Sequence, residues 1–213
     1  MTICFMEFVS PAREASAEIE EKRSRFIGTV APTFTVEEAE QHVAAVRRKY
    51  PDATHNVYAY SIGTGTPIER LSDDGEPRGT AGYPVLEVIK KRGLRNVCCV
   101  VTRYFGGTLL GAGGLLRSYG KAASAALDAA GTARYIYHHV VSWTLDYDQY
   151  GRVQRELELR GIRIIDTSYQ ERVTVKAYVT PEDVEALSSR VRDLTAGKAR
   201  LCIEEGKYIP WST

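Results

Sequence analysis

Apolar positions along this chain alternate between two spacings, and the change from one to the other is sharpest between Asn96 and Gly120, in NVCCVVTRYFGGTLLGAGGLLRSYG. Val97, Cys98, Cys99, Val100 and Val101 form an unbroken run of small and β-branched residues, the pattern of a strand buried on both faces. Leu115, Leu116, Tyr119, Ala123, Ala126, Leu127 and Ala130 then recur at steps of three and four, which predicts an amphipathic helix over 115–130. Between them lie Gly106, Gly107, Gly111, Gly113 and Gly114, expected as a loop. Such a loop leads the backbone into positive φ beside a helix start with unpaired N–H donors, which is how anion sites are built, and Arg103 and Arg117 flank it. Glycines of this kind also serve the close packing of a helix on a sheet. Their spacing fits neither a GxxxxGK[ST] nucleotide loop nor a GxGxxG dinucleotide loop.

Upstream, residues 17–31 alternate as a strand or bent hairpin ending at Pro32, with Lys22, Arg23 and Arg25 in its middle. Three cations so close are either a solvated edge or a face for an anionic partner. Thr35 followed by Glu37 and Glu38 predicts an N-capped helix ending in Arg47, Arg48 and Lys49, where the helix dipole favours cations. His55 to Ile62 reads as a strand that places His55 and Asn56 at a sheet end. Residues 69–84 are polar and rich in turn formers, so a long functional or disordered loop is expected there. Asp73, Asp74 and Glu76 within it do not meet the calcium-loop template; pairing with Arg70 and Arg78 would hold the loop in one shape. Thr80 or Gly79 then caps a helix over 81–92, closed by Gly93.

Residues 131–134 are the expected boundary between domains 1–134 and 135–213. Beyond it the pattern predicts strand 138–146, helix 149–160, strands 162–169 and 172–179, helix 181–194 and strand 199–205: βαββαβ, the ferredoxin-like split motif. Thr180-Pro181-Glu182-Asp183 supplies an N-cap, a proline at the first helical position and an acidic first turn. His138 and His139 are adjacent on a strand and point to opposite faces, so a shared metal is not expected.

Composition changes this picture little. A chain of 213 residues can bury a proper core as one large domain or two small ones. Formal net charge is +1. Residues 1–136 hold 17 Lys and Arg against 15 Asp and Glu, and residues 137–213 hold 11 against 12. Any nucleic-acid footprint is therefore a local patch of the first domain. Cys4, Cys98, Cys99 and Cys202 show no CxxC spacing and are expected as reduced core residues of a cytoplasmic protein. No apolar run approaches a membrane span, no secretory signal is indicated, and neither a metal nor a cofactor is expected.

Two segments, RLSDDGEPRGTAGYP at 70–84 and the 96–120 stretch, supported by EKRSRFI at 21–27 and HNVYAYSIG at 55–63, resemble the signature of the YigZ/IMPACT family. The resemblance implies a two-domain α+β fold: an N-terminal domain with a left-handed βαβ crossover, similar to domain IV of elongation factor G and of ribosomal-protein type, and a ferredoxin-like C-terminal domain similar to its domain V. Eukaryotic members regulate translation by interfering with activation of a kinase that senses uncharged tRNA. No established catalysis comes with the resemblance. A regulator or accessory factor in translation is therefore expected, binding RNA, the ribosome or a translation factor. Its binding face would be built from Arg23, Arg25, Arg78, Arg103, Gly106, Gly107, Gly111, Gly113, Gly114, Arg117 and Tyr119. Arginines grip phosphates, and rings such as those of Phe26, Tyr104 and Tyr119 can stack on bases. Two alternatives remain. One is an enzyme acting on a phosphorylated or other anionic small substrate, with His55 as acid or base, Asp73, Asp74 or Glu76 as its partner, and the glycine loop with Arg103 and Arg117 as anion clamp. The other is a protein–protein adaptor.

Overall fold

The computed structural model describes residues 7 to 211 of the chain, which divide into two compact units, one reaching to Tyr135 and taking in Pro210 and Trp211, the other spanning Ile136–Ile209. The segment expected as a boundary is not an irregular linker. Gly131, at φ 64°, ends a helix, and Thr132 already begins strand β7 (Thr132–Leu145).

In the first unit, β1 (Glu7–Pro11) precedes a hairpin of β2 (Ala15–Glu21) and β3 (Ser24–Pro32). The hairpin is the bent alternative of the sequence reading. Glu21 pairs with Ser24, so Lys22 and Arg23 alone form the turn, both at positive φ (48° and 67°). A two-residue turn of that shape matches the twist of the strands it joins. Helix α1 (Val36–Lys49) follows as expected: the Thr35 hydroxyl accepts from the Glu38 N–H at its start. Next come β4 (His55–Ile62), β5 (Ile68–Ser72), α2 (Gly82–Lys91), β6 (Val97–Tyr104) and α3 (Gly111–Ala130).

Strand order is β2-β3-β6-β4-β5, and each paired neighbour is antiparallel. β6 lies at the centre. Val97, Cys99 and Val101 pack with α2 and α3 on one face, while Cys98 and Val100 pack against α1 on the other. The buried run of the sequence is thus a strand enclosed by helices on both sides. β3 and β4 flank β6 and run parallel to each other, joined through α1.

Three expectations are corrected here. Residues 69–72 are not loop but β5, an edge strand paired with β4; its exposed, charged face hid it. α3 begins at Gly111, so Gly111, Gly113 and Gly114 form its first turn and not a loop ahead of it. Cys98 and Cys99 are buried free thiols, that of Cys99 pushed up to about 12 by burial, but Cys202 is exposed on the final strand, and Cys4 lies outside the described residues.

The second unit has the expected βαββαβ order: the remainder of β7, α4 (Tyr147–Leu159), β8 (Arg163–Tyr169), β9 (Val173–Val179), α5 (Pro181–Leu194) and, as far as Ile209, β10 (Arg200–Trp211). β9 pairs antiparallel with both β7 and β8, and β10 pairs with β7. The parallel strands β7 and β8 therefore sit on either side of β9, the split arrangement. Trp143, Leu157, Leu187 and the valines of β9 fill its core.

Candidate functional site

The C-terminal end of β6 brings together residues that are far apart in the chain. Across three strands, Phe26 of β3 and His55 of β4 both stand opposite Arg103 of β6, so the three side chains share one face at the end of the sheet. The loop after β5 closes over this row. Asp74, at φ 47°, accepts at its carboxylate from the Asn56 N–H (2.7 Å) and from the Arg47 guanidinium (2.6 Å), while its carbonyl accepts from His55 Nδ1 (2.7 Å). That folding carries Glu76 inward. Its Oε1 accepts from Arg103 Nη1 at 2.5 Å and from the Tyr119 hydroxyl at 2.8 Å.

The result is a buried polar cluster at the floor of a cleft of about 420 Å³, whose walls come from Pro77, Phe105, Leu109, Leu110, Ala112 and Leu115. The side chains of Arg103 and Glu76 are only 7% and 4% exposed. Arg103 also lies over the rings of Phe26 and Phe105, each centroid 5.5 Å from its guanidinium carbon. Burial, followed by the neighbouring Glu76 charge, pushes the Tyr119 phenol far up, so it remains a donor. A backbone carbonyl can only accept, so the Asp74 carbonyl fixes the His55 proton on Nδ1. In the neutral ring Nε2 is then a bare acceptor, 3.9 Å from Glu76 Oε1.

The acidic loop is structural at two of its three carboxylates. Besides Asp74, Asp73 accepts from the backbone N–H groups of Gly79 (2.8 Å), Ala81 (3.1 Å) and Gly82 (2.8 Å), and so caps α2, the task the sequence reading gave to Thr80 or Gly79. Burial alone would raise the Asp73 carboxyl, but these three donors and nearby Arg78 outweigh it and hold it below its usual value. A depressed folded-state pKa contributes stability that is complete above the unfolded value and is lost as pH falls through the folded one. Asp73→Ala is therefore expected to cost about 1–2 kcal/mol at neutral pH and to flatten the acid limb of the unfolding midpoint against pH, measured by denaturant titration between neutral pH and pH 3.

The other expected site residues scatter. Arg103 and Tyr119 are both buried and engaged with Glu76, with Arg103 at the floor of the cleft. Arg103 and Arg117 do not clamp one recess. Arg117 lines a separate depression of about 100 Å³ beside Lys22 and Lys121, sharing only Leu110 with the cleft. Arg25 is exposed and bound at both Nε and Nη2 by Glu18 (2.8 and 2.9 Å), while Arg23 and Arg78 are exposed. Gly106 serves packing: a Cβ there would run into the Arg23 backbone, and its N–H donates to Ser24 Oγ. Gly107 and Gly111 adopt positive φ, and Gly113 and Gly114 lie on the helix. Lys121 was missed although it follows Arg117 by four residues and so shares its helix face. The apolar walls Phe105, Leu109 and Leu110 carried no signal in the sequence. Among the described residues no group of three or more His, Cys, Asp or Glu could hold a metal, and no helix is long and apolar enough to cross a membrane.

A two-domain α+β protein whose first unit carries a histidine-floored cleft beside a basic depression is the class that fold and site define. The family model "Impact N-terminal domain" matches residues 22–127, and "Domain of unknown function (DUF1949)" matches 144–198. The chain is 40% identical to the IMPACT family member YvyE of Bacillus subtilis, over 90% of this chain and 88% of that one, and 35% identical to YigZ of Escherichia coli, over 92% and 97%. A solved structure described as a hypothetical protein aligns over 94% of this chain and 98% of its own, with a TM-score of 0.65 and 33% identity. This chain belongs to the IMPACT family. Protein IMPACT of Rattus norvegicus shares 35% identity with it over 45% of this chain, 31% of the rat protein.

Proposed function

We propose that this protein is an accessory or regulatory factor in translation, and that its first unit binds RNA, the ribosome or a translation factor through a basic face. Family membership supports the setting. One observation supports the face: Lys22, Arg117 and Lys121 line the same depression at the flank of α3, next to exposed Arg23 at the hairpin tip. Among the described residues, Lys22, Arg23 and Arg117 have no ion-pair partner. Lys121 meets Glu21 at 3.6 Å across an exposed gap, a contact of about 0–1 kcal/mol that a phosphate displaces readily.

Co-sedimentation with ribosomes and titration against tRNA and rRNA test this. Affinity is expected to fall steeply as salt rises. The Arg117→Glu, Lys121→Glu double variant should bind at least about tenfold more weakly and lower the salt slope by about two. Absence of association with all three at low salt overturns the proposal.

The cleft favours a second reading, since it joins His55, the acidic loop and the start of α3, as an enzyme on an anionic small substrate requires. Its one cation, Arg103, is neutralised by Glu76, which weighs against an anionic substrate.

A further inference from the structure

We propose that the cleft above Glu76 is a binding site for an uncharged small molecule with an aromatic or branched apolar body and a hydroxyl or N–H group that donates to His55 Nε2. This site is separate from the basic depression and does not rest on the translation reading.

Its volume, about 420 Å³, lies within the roughly 300–1,000 Å³ of small-molecule pockets, and like them it sets apolar walls around a few polar groups. Leu109 is 83% exposed and Phe105 47%, large apolar surfaces at the mouth that an occupant would cover. The charge balance selects an uncharged ligand. Glu76 and Arg103 neutralise each other at the floor, and among the described residues no other Lys, Arg, Asp or Glu lines the cleft. A ligand ion would leave water without a countercharge to meet it. The hydrogen-bonding pattern selects a donor. In its neutral form, with the proton on Nδ1, His55 presents a lone pair at Nε2, and the nearest carboxylate oxygen, Glu76 Oε1, is another acceptor at 3.9 Å, beyond hydrogen-bond distance. Two facing acceptors are a mismatch that a ligand hydroxyl or N–H corrects. The start of α3, Gly111 and Ala112, lines the same cleft and has no side-chain cap, so its N–H groups suit an acceptor elsewhere on the ligand.

The test is a titration of the full chain, followed by amide NMR shifts, with four probes of one shape: phenol, toluene, benzoate and benzylammonium. Phenol is expected to shift the Phe105, Gly111 and Ala112 amides saturably and to bind about tenfold tighter than toluene, the worth of one hydrogen bond, with both ions weaker than phenol. His55→Phe should abolish the difference between phenol and toluene while toluene still binds. Ala112→Trp, at an exposed helix position, should block all binding without disturbing the fold. Arg117→Glu with Lys121→Glu should leave phenol binding unchanged, which separates this site from the basic face. Equal affinities for phenol and toluene, shifts confined to residues outside the cleft, or benzoate as the tightest probe would each overturn the proposal.

Discussion

Glu76→Ala is expected to destabilise the first unit by about 3–5 kcal/mol, the range for removing one partner of a buried ion pair. The deletion leaves Arg103 charged, wedged between Phe26 and Phe105 at 7% side-chain exposure, and leaves the Tyr119 hydroxyl without its acceptor. Among the described residues Arg103 Nε already has no hydrogen-bond partner, so the deletion adds to a guanidinium that is incompletely satisfied. The loss is more than local, because Arg103 ends the central strand and Tyr119 belongs to α3. Hydrogen exchange of the β6 amides is the measurement to make, since it reports the opening of this unit alone, whereas a single global transition is not assured in a two-unit chain. The companion variant Glu76→Leu with Arg103→Met should recover the part of the loss that comes from the unpaired Arg103 charge, because replacing both charges by apolar groups of similar size removes the desolvation penalty together with the attraction, while the cost of the Tyr119 hydroxyl left without its acceptor remains. A cost below about 1 kcal/mol for Glu76→Ala would mean that water already reaches Arg103.

That cluster also marks where the sequence stopped being readable. β6, α1 and the βαββαβ order of the second unit were legible because each is written in a local signal: an unbroken apolar run, a Thr-x-x-Glu start, a Thr-Pro-Glu-Asp start. Arg103 carried no such signal. An arginine two residues past Val101 in a buried run reads as the strand reaching solvent, and only its neighbours in space show otherwise. Glu76 is 27 residues from Arg103 and 43 from Tyr119, and no periodicity spans those intervals. Arg103, expected on a binding face, is held inside by a carboxylate of what was expected to be a long functional or disordered loop. Lys22, Arg117 and Lys121 likewise meet only in space, where a turn and a helix flank come together. β5 was lost to its charged, exposed pattern, and the true start of α3 to its glycines, which favour a loop when judged by propensity alone.

Gly28→Ala is the second large effect, expected to cost at least about 1–3 kcal/mol, and Gly28→Leu more. Gly28 sits in β3 beneath α3, where a Cβ would lie 2.5 Å from the carbonyl oxygen of Ala122 and 2.8 Å from the Ala126 Cβ. Strand and helix approach this closely because α3 presents Ala122, Ala123 and Ala126, all fully buried, to the sheet. The shorter contact is to helix backbone, so no rotamer change relieves it, and α3 must move off the sheet. Ala126→Gly removes only the side-chain contact and is therefore expected to rescue little of the loss in the double variant. Substantial rescue would show instead that the methyl contact limits the approach. Movement of α3 has a functional reading as well, since the same helix carries Gly111 and Ala112 at the cleft and Arg117 and Lys121 at the basic depression. Gly28→Ala should thus weaken both phenol binding and RNA association at temperatures where the chain is still folded, whereas Ala126→Gly alone should leave both intact. Unfolding midpoints measured alongside the two titrations separate displacement of the helix from simple loss of folded protein.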